Sequence, residues 1–153
     1  MKPVRICHAV PALLLFTLLA GCTGSVTREL SAEECPQPRF TDRAPDEYLQ
    51  RQNPLPATRA HRQAGERLYL DSDASIGCAV CHGKTGNGLG PLASQFNPRP
   101  RNFACAATVN GIPDGQLFWI IRFGSPGTAM PAHAKLDDTQ VWQLVHHLRQ
   151  LAR

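Results

Sequence analysis

The sequence predicts an all-α protein, a small helical bundle preceded by a processed N-terminal segment. Apolar residues recur at the helical spacing of three to four over residues 57–70, 114–123 and 137–152. No stretch alternates apolar and polar residues as a half-buried strand does, and no internal repeat is present. The 153 residues, 42% of them hydrophobic, allow one globular domain with appendages.

Residues 1–21 have the pattern of a signal peptide. Basic residues flank an apolar run that is too short to span a membrane. The run ends in Leu-Ala-Gly-Cys, which resembles a bacterial lipoprotein signal, so we expect cleavage before Cys22 and attachment of lipid to that cysteine. The expected location is the periplasmic side of a membrane, with Thr23 slightly favouring the outer membrane. The alternatives are an uncleaved anchor and an ordinary secretory signal with an incidental cysteine.

Residues 22–56 have the composition of a flexible tether between the lipid and the folded domain, residues 57–153. Prolines are frequent, Thr, Ser, Glu and Arg predominate, and no apolar period is present. A flexible chain of this length has a typical reach of about 30–35 Å. The alternative is that part of the segment, around Tyr48 and Leu49, packs back on the domain.

Residues 78–82 read Cys-Ala-Val-Cys-His, which is the spacing of a c-type haem attachment site. On one helical turn the three side chains share a side, so Cys78 and Cys81 can add to the vinyl groups of one porphyrin edge while His82 binds iron. A structural zinc site would need a second ligand pair, and a thiol redox pair would need a parallel α/β pattern. Neither context is present, and we predict one covalently attached haem c.

Three further motifs accompany the haem motif in a fixed order. They are Gly65-x-x-x-Tyr69 before it, Gly90-Pro91-x-Ala93 after it, and Gly-Thr-Ala-Met-Pro-Ala at residues 127–132. Together they make residues 53–153 resemble a class I c-type cytochrome. The resemblance implies the class I fold, wrapped around the haem, in which the last helix crosses the first at Gly65. This chain places His147 where that helix usually offers an aromatic residue.

The resemblance also implies the remaining haem contacts. The thioether of Met130 is expected to bind iron opposite His82, a ligand pair that favours ferrous iron. The carbonyl of Pro91 is expected to accept a hydrogen bond from His82 and so fix its tautomer. His133 is the strongest rival to Met130, ahead of the histidines at positions 61, 146 and 147.

Other residues are candidates for contact with the porphyrin edge and face. The helix over residues 114–123 carries an apolar run, including Trp119, that suits a wall against the ring or an ordinary core. Arg99 and Arg101 can pair with the propionates through their forked donors, the alternative being that both are solvated loop charges.

Cys35 and Cys105 remain after the signal, lipid and haem cysteines are assigned. Two spare thiols outside the cytoplasm can pair, but sequence spacing does not show whether their Cα atoms lie within bridging distance. A disulfide and two independent thiols both stay open.

The charge and the two iron ligands limit the function. The formal charge of +4 includes Lys2 and Arg5 of the expected signal peptide. Without them, 14 basic residues stand against 12 acidic residues, so the net charge is small and nucleic acid is not an expected partner. With both axial positions filled, no small-molecule substrate has a site on iron. We expect a lipid-anchored carrier of single electrons between redox partner proteins, not an enzyme.

Two alternatives to the mobile carrier stay open. One is an electron-entry subunit fixed in a larger oxidoreductase complex. The other is a small haem protein with an open iron position, either a peroxidase or a gas-binding protein.

Overall fold

The computed structural model describes residues 35–37, 39–71 and 77–152. Within these ranges the chain forms six α-helices and one 3₁₀ turn, without any β-strand, which confirms the predicted all-α fold. The helices are α1 (Asp46–Leu49), α2 (Arg59–Leu70), α3 (Cys78–His82), α4 (Ala106–Val109), α5 (Asp114–Phe123) and α6 (Asp138–Leu151), and the 3₁₀ turn is Ala93–Gln95.

The three helices predicted from apolar periodicity are present as α2, α5 and α6. Thr58 accepts a hydrogen bond from the backbone N–H of His61, so α2 begins after this cap and not at residue 57. Asp137 and Gln140 form a reciprocal capping box at the start of α6. These caps satisfy backbone N–H groups that have no partner inside the helix.

Helices α2 and α6 form the most extensive helix contact of the described chain and cross at Gly65. A Cβ atom on Gly65 would overlap the carbonyl oxygen of Gln143 and lie 3.0 Å from the Cβ of His147. The close crossing therefore requires glycine, in spite of its unfavourable helix propensity. The predicted crossing is confirmed, and His147 lies in it.

One apolar core lies between α2, α5 and α6, and an ion pair closes one end of it. The Arg149 guanidinium near the end of α6 lies 2.6 Å from the Asp114 carboxylate at the start of α5. The same guanidinium donates to the carbonyl of Val109 at 2.6 Å. The largest fully buried side chains of the core are Tyr69, Phe118, Leu144, Val109, Val141 and Val145.

The prediction of a flexible tether is wrong for residues 39–56, which pack on the domain. Ala44 is 1% exposed, and its N–H donates to the side chain of Gln116, which in turn donates to the carbonyl of Asp42. Asn53 donates to the carbonyl of Trp142 on α6 at 2.9 Å. Bonds between side chains and backbone hold this segment, which explains why its sequence shows no apolar period.

The packing around Tyr48, open as an alternative in the sequence, is present. The Tyr48 ring stacks on Phe118 with ring centroids 6.3 Å apart and meets the edge of Phe123 at 5.3 Å. These contacts attach α1 to α5.

Cys35 and Cys105 form a disulfide, with Cα atoms 5.6 Å apart. The bond joins the start of the described chain to the residue that precedes α4. The signal peptide and the lipidation candidate Cys22 lie outside the described residues. Among the residues that are described, no helix is long and apolar enough to cross a membrane.

His147 is a polar residue in the apolar crossing of α2 and α6. It is 4% exposed, its ring lies 5.0 Å from that of Tyr69, and neither ring nitrogen has a hydrogen-bond partner in the described chain. Burial lowers the pKa of His147 below its ordinary 6.5, which the Glu66 carboxylate partly opposes. Because the unfolded chain binds this proton more readily, the free energy of unfolding falls as pH decreases below about 6.5.

We expect His147→Phe to raise the free energy of unfolding by about 1 kcal/mol at pH 7, since it removes two unpaired buried nitrogens. The gain in the free energy of unfolding should be larger at pH 5, because at that pH proton uptake by His147 in the unfolded chain further destabilises the parent. Urea denaturation at both pH values measures it. The control is His61→Phe, because His61 Nδ1 already has a partner in the carbonyl of Pro56 at 2.9 Å; it should bring no gain. A destabilised His147→Phe protein at both pH values would contradict this account.

Candidate functional site

A cavity of about 550 Å³ lies between the haem motif on α3 and the inner faces of α5 and α6. This volume is within the range of about 300–1,000 Å³ found for cofactor and ligand sites. Cys78, Cys81 and His82 line it from α3, and Met130 lines it from the loop after α5. Most of the remaining wall is apolar and includes Phe103, Leu117, Ile120, Ile121, Leu144 and Leu148.

One hydrogen bond orients the His82 imidazole. Its Nδ1 lies 3.0 Å from the carbonyl oxygen of Arg101, and because a carbonyl only accepts, Nδ1 carries the proton. Nε2 is then the nitrogen with a free lone pair. The prediction that the carbonyl of Pro91 is the acceptor is wrong, because Pro91 is exposed and does not line the cavity. Residues 99–103 run past α3 and supply the acceptor from farther along the chain.

The surroundings of His82 keep the ring neutral. It is 8% exposed and stacks on Phe103 with ring centroids 4.5 Å apart. Burial lowers the pKa of His82 to about 4; the hydrogen bond to the Arg101 carbonyl opposes this change, and the charges of Arg39, Arg101 and His133 add to it. At neutral pH the ring therefore presents an unprotonated Nε2, the form that binds a metal.

The turn after α3 fixes the end of the haem motif. Gly83 ends the helix at φ +78°, a left-handed conformation that favours glycine. The buried hydroxyl of Tyr69 donates to the Gly83 carbonyl at 2.8 Å. Through this bond α2 holds the backbone next to His82.

The two thiols of the motif are free, and both line the cavity. Burial raises the pKa of Cys78 to about 11 and also raises that of Cys81, so both thiols are neutral at physiological pH. Within the described residues, no group of three or more His, Cys, Asp or Glu side chains is arranged to hold a metal ion.

A tight loop carries Met130 into the cavity. Ser125 N–H donates to the Met130 carbonyl at 3.2 Å, and Met130 N–H donates to Thr128 Oγ1 at 3.1 Å. The partly buried Met130 side chain packs against the core. His133 lines the same cavity, and burial lowers its pKa. The structure therefore brings Met130 and its strongest rival, His133, to the cavity, whereas the histidines at positions 61, 146 and 147 do not line it.

The predicted wall residue Trp119 does not line the cavity. Its ring lies 6.2 Å from that of Phe123. The cavity-lining positions of α5 are Gln116, Leu117, Ile120 and Ile121, which recur at a spacing of three to four residues and share a helix face. Trp119 falls outside that face because of helical phase, which a run of apolar residues does not reveal.

Of the two predicted arginines, Arg101 lines the cavity, whereas Arg99 is exposed and does not. Arg39 also lines the cavity, and sequence reasoning missed it because its segment was assigned to the tether. Arg101 donates to Thr41 Oγ1 at 2.7 Å, and Arg39 donates to the carbonyl of Arg99 at 2.7 Å. Burial and the charge of Arg39 lower the pKa of Arg101 to about 10.

These residues fit a covalently attached haem. The cavity combines two thiols on one helical turn with a neutral imidazole whose Nε2 is free, and most of its wall is apolar. The guanidiniums of Arg39 and Arg101 add cationic groups that suit the carboxylates of a porphyrin. The buried Nε of Arg39 has no hydrogen-bond partner in the described chain.

Comparison with known proteins supports this assignment. The family model described as Cytochrome c matches residues 62–152. A solved structure, a chain of the reducing HAO-like protein complex of Kuenenia stuttgartiensis, superimposes with a TM-score of 0.57 at 29% sequence identity. The match covers 65% of this chain and 47% of that chain, so this chain spans about half the length of its structural relative.

We expect Tyr69→Phe to lower the free energy of unfolding by about 1 kcal/mol, because it removes one of the two hydrogen bonds to the buried Gly83 carbonyl and leaves only the one from the N–H of Gly86. Denaturant unfolding measures the loss. Tyr48→Phe is the matched control, since the structure gives the Tyr48 hydroxyl no hydrogen bond within the described residues. Equal losses in the two variants would show that the bond to Gly83 contributes nothing.

Proposed function

The chain belongs to the cytochrome c family, with covalent haem c as its cofactor and an all-helical class I fold, and on this basis we propose that it carries single electrons between redox partner proteins. The observation that carries the proposal is the shared cavity of His82, Met130 and the two motif cysteines. One haem motif occurs in the sequence, so the proposed carrier is mono-haem.

Each cavity residue has a distinct part in this proposal. Cys78 and Cys81 would hold the porphyrin through thioether bonds, and His82 would bind iron through Nε2. The backbone carbonyl of Arg101 accepts a hydrogen bond from the Nδ1–H of His82 and so fixes the tautomer. Met130 would offer its thioether as the other iron ligand. When bound, haem c supplies the one-electron ferric–ferrous couple.

The apolar wall supports a carrier more than an enzyme. It would keep water away from a bound haem, and a thioether together with an imidazole as iron ligands favours the ferrous state. If Met130 binds the iron, no position on it is left for a substrate. The rival with an open iron position, a peroxidase or gas-binding protein, requires Met130 to be absent from iron or easily displaced.

We further propose that Cys22 carries lipid and holds the domain on the periplasmic side of a membrane, with the outer membrane slightly favoured. The lipoprotein-like signal supports the anchor. A chain fixed permanently in a larger complex is the second candidate, and the structural relative in an HAO-like protein complex favours it. The native size of the solubilised protein separates a free carrier from a fixed subunit.

We expect Met130→Ala to retain covalent haem but to open the sixth position, because alanine offers no ligand atom. The reduced variant should bind carbon monoxide, which the parent should not, and its reduction potential should fall. Absorption spectra with and without carbon monoxide measure this.

His133→Ala is the control for this experiment and should keep the parental spectrum and potential. If Met130→Ala keeps the spectrum and potential of the parent while His133→Ala changes them, His133 is the ligand. Carbon monoxide binding by the parent itself would favour the open-site rival.

A further inference from the structure

We propose that Arg39, which lies before the cytochrome c match, binds a haem propionate and raises the reduction potential of the haem. The described residues 35–37 and 39–44, which we call the strap, hold the arginine at the cavity. This inference rests on the proposed function, because it takes haem to fill the cavity.

The strap forms part of the cavity wall. Arg39, Thr41 and Arg43 all line the cavity, although the family match begins only at residue 62. The strap therefore adds side chains to the cofactor site from outside the part of the chain that matches the family.

The guanidinium of Arg39 lacks a complete set of partners. One terminal nitrogen donates to the carbonyl of Arg99 at 2.7 Å, but the buried Nε has no hydrogen-bond partner in the described chain. A buried donor without an acceptor is costly, and a forked guanidinium matches a carboxylate. A propionate at this edge of the cavity would supply that acceptor.

A second positive charge lies close by. Arg101 also lines the cavity, and its nearness to Arg39 helps to lower its pKa. The ion pairs found in the described chain are Arg43 with Asp46, Arg122 with Asp138 and Arg149 with Asp114. Of the three arginines on the cavity, Arg43 therefore has a counter-ion, whereas neither Arg39 nor Arg101 has a carboxylate partner in the described chain. These two cations suit two carboxylates, which is the number of propionates on a haem.

The strap is fixed on both sides of Arg39. Before it, Cys35 is bonded to Cys105, and Gln37 accepts from the backbone N–H of Asn102 at 2.6 Å. After it, Thr41 accepts from Arg101, and Ala44 N–H donates to Gln116 at 2.7 Å. Arg39 is therefore held in place before the cofactor arrives, which reduces the entropic cost of pairing.

The test compares Arg39→Gln with Arg99→Gln in the haem-bearing protein. Both variants remove one positive charge from the same region, but Arg99 is exposed and does not line the cavity. Spectroelectrochemical titration between pH 5 and pH 8 gives the reduction potential of each.

Arg39→Gln should have a lower potential than the parent and Arg99→Gln, because a cation beside haem favours the less positive ferrous state. Its potential should also depend more steeply on pH, since a propionate without its partner takes up a proton more readily. The potential of Arg39→Lys should lie between those of the parent and Arg39→Gln, because lysine keeps the positive charge but lacks the forked donors of the guanidinium. Equal potentials in Arg39→Gln and Arg99→Gln would overturn the proposal.

The role of the disulfide is tested on the finished protein. Reduction and alkylation of Cys35 and Cys105, verified by mass, should shift the potential toward that of Arg39→Gln. An unchanged potential would overturn the role of the disulfide in holding Arg39. Failure of the proposed function has another signature, namely a parent without a c-type haem spectrum or with an open iron position.

Discussion

The hydrogen bond from His82 Nδ1 to the carbonyl of Arg101 is the contact on which the site depends. It fixes which imidazole nitrogen is free for iron, and it joins the short haem helix to a segment about twenty residues later. The same segment places Phe103 against the imidazole, and Phe103 N–H donates to the Gly86 carbonyl at 2.6 Å. The segment around Arg101 and Phe103 therefore orients the imidazole and also forms part of the cavity wall.

A second chain of contacts connects this arrangement to the helical core. The Tyr69 hydroxyl donates a hydrogen bond to the backbone carbonyl next to His82, and its ring packs against His147 at the crossing of α2 and α6. Since Gly65 sets how closely these helices approach, the position of the haem motif depends on the crossing. A buried porphyrin would add apolar surface to a small domain that otherwise has a limited core.

The sequence predicts what depends on local spacing. The helices follow from apolar periodicity and the haem motif from three residues on one turn, whereas the crossing at Gly65 is implied by the resemblance to class I cytochromes c. Arg101 as the acceptor for His82, the position of Trp119 outside the cavity wall and the packing of residues 39–56 depend on contacts between distant segments. Arg39 had no local signal, because a disulfide across 70 residues and several side-chain bonds bring it to the cavity. Composition alone assigned this region to a tether.

The central claim is that His82 and Met130 hold the iron from opposite sides of one cavity. Proton NMR of the reduced protein with isotope-labelled methionine methyl groups tests it most directly, because the sequence contains only two methionines, Met1 and Met130. When the sulfur of a methionine binds ferrous haem iron, its methyl group lies over the porphyrin, whose ring current shifts the methyl resonance far upfield. The account predicts one such resonance, assigned to Met130. If every methionine methyl resonates in the ordinary aliphatic range, Met130 is not the ligand and the claim is wrong.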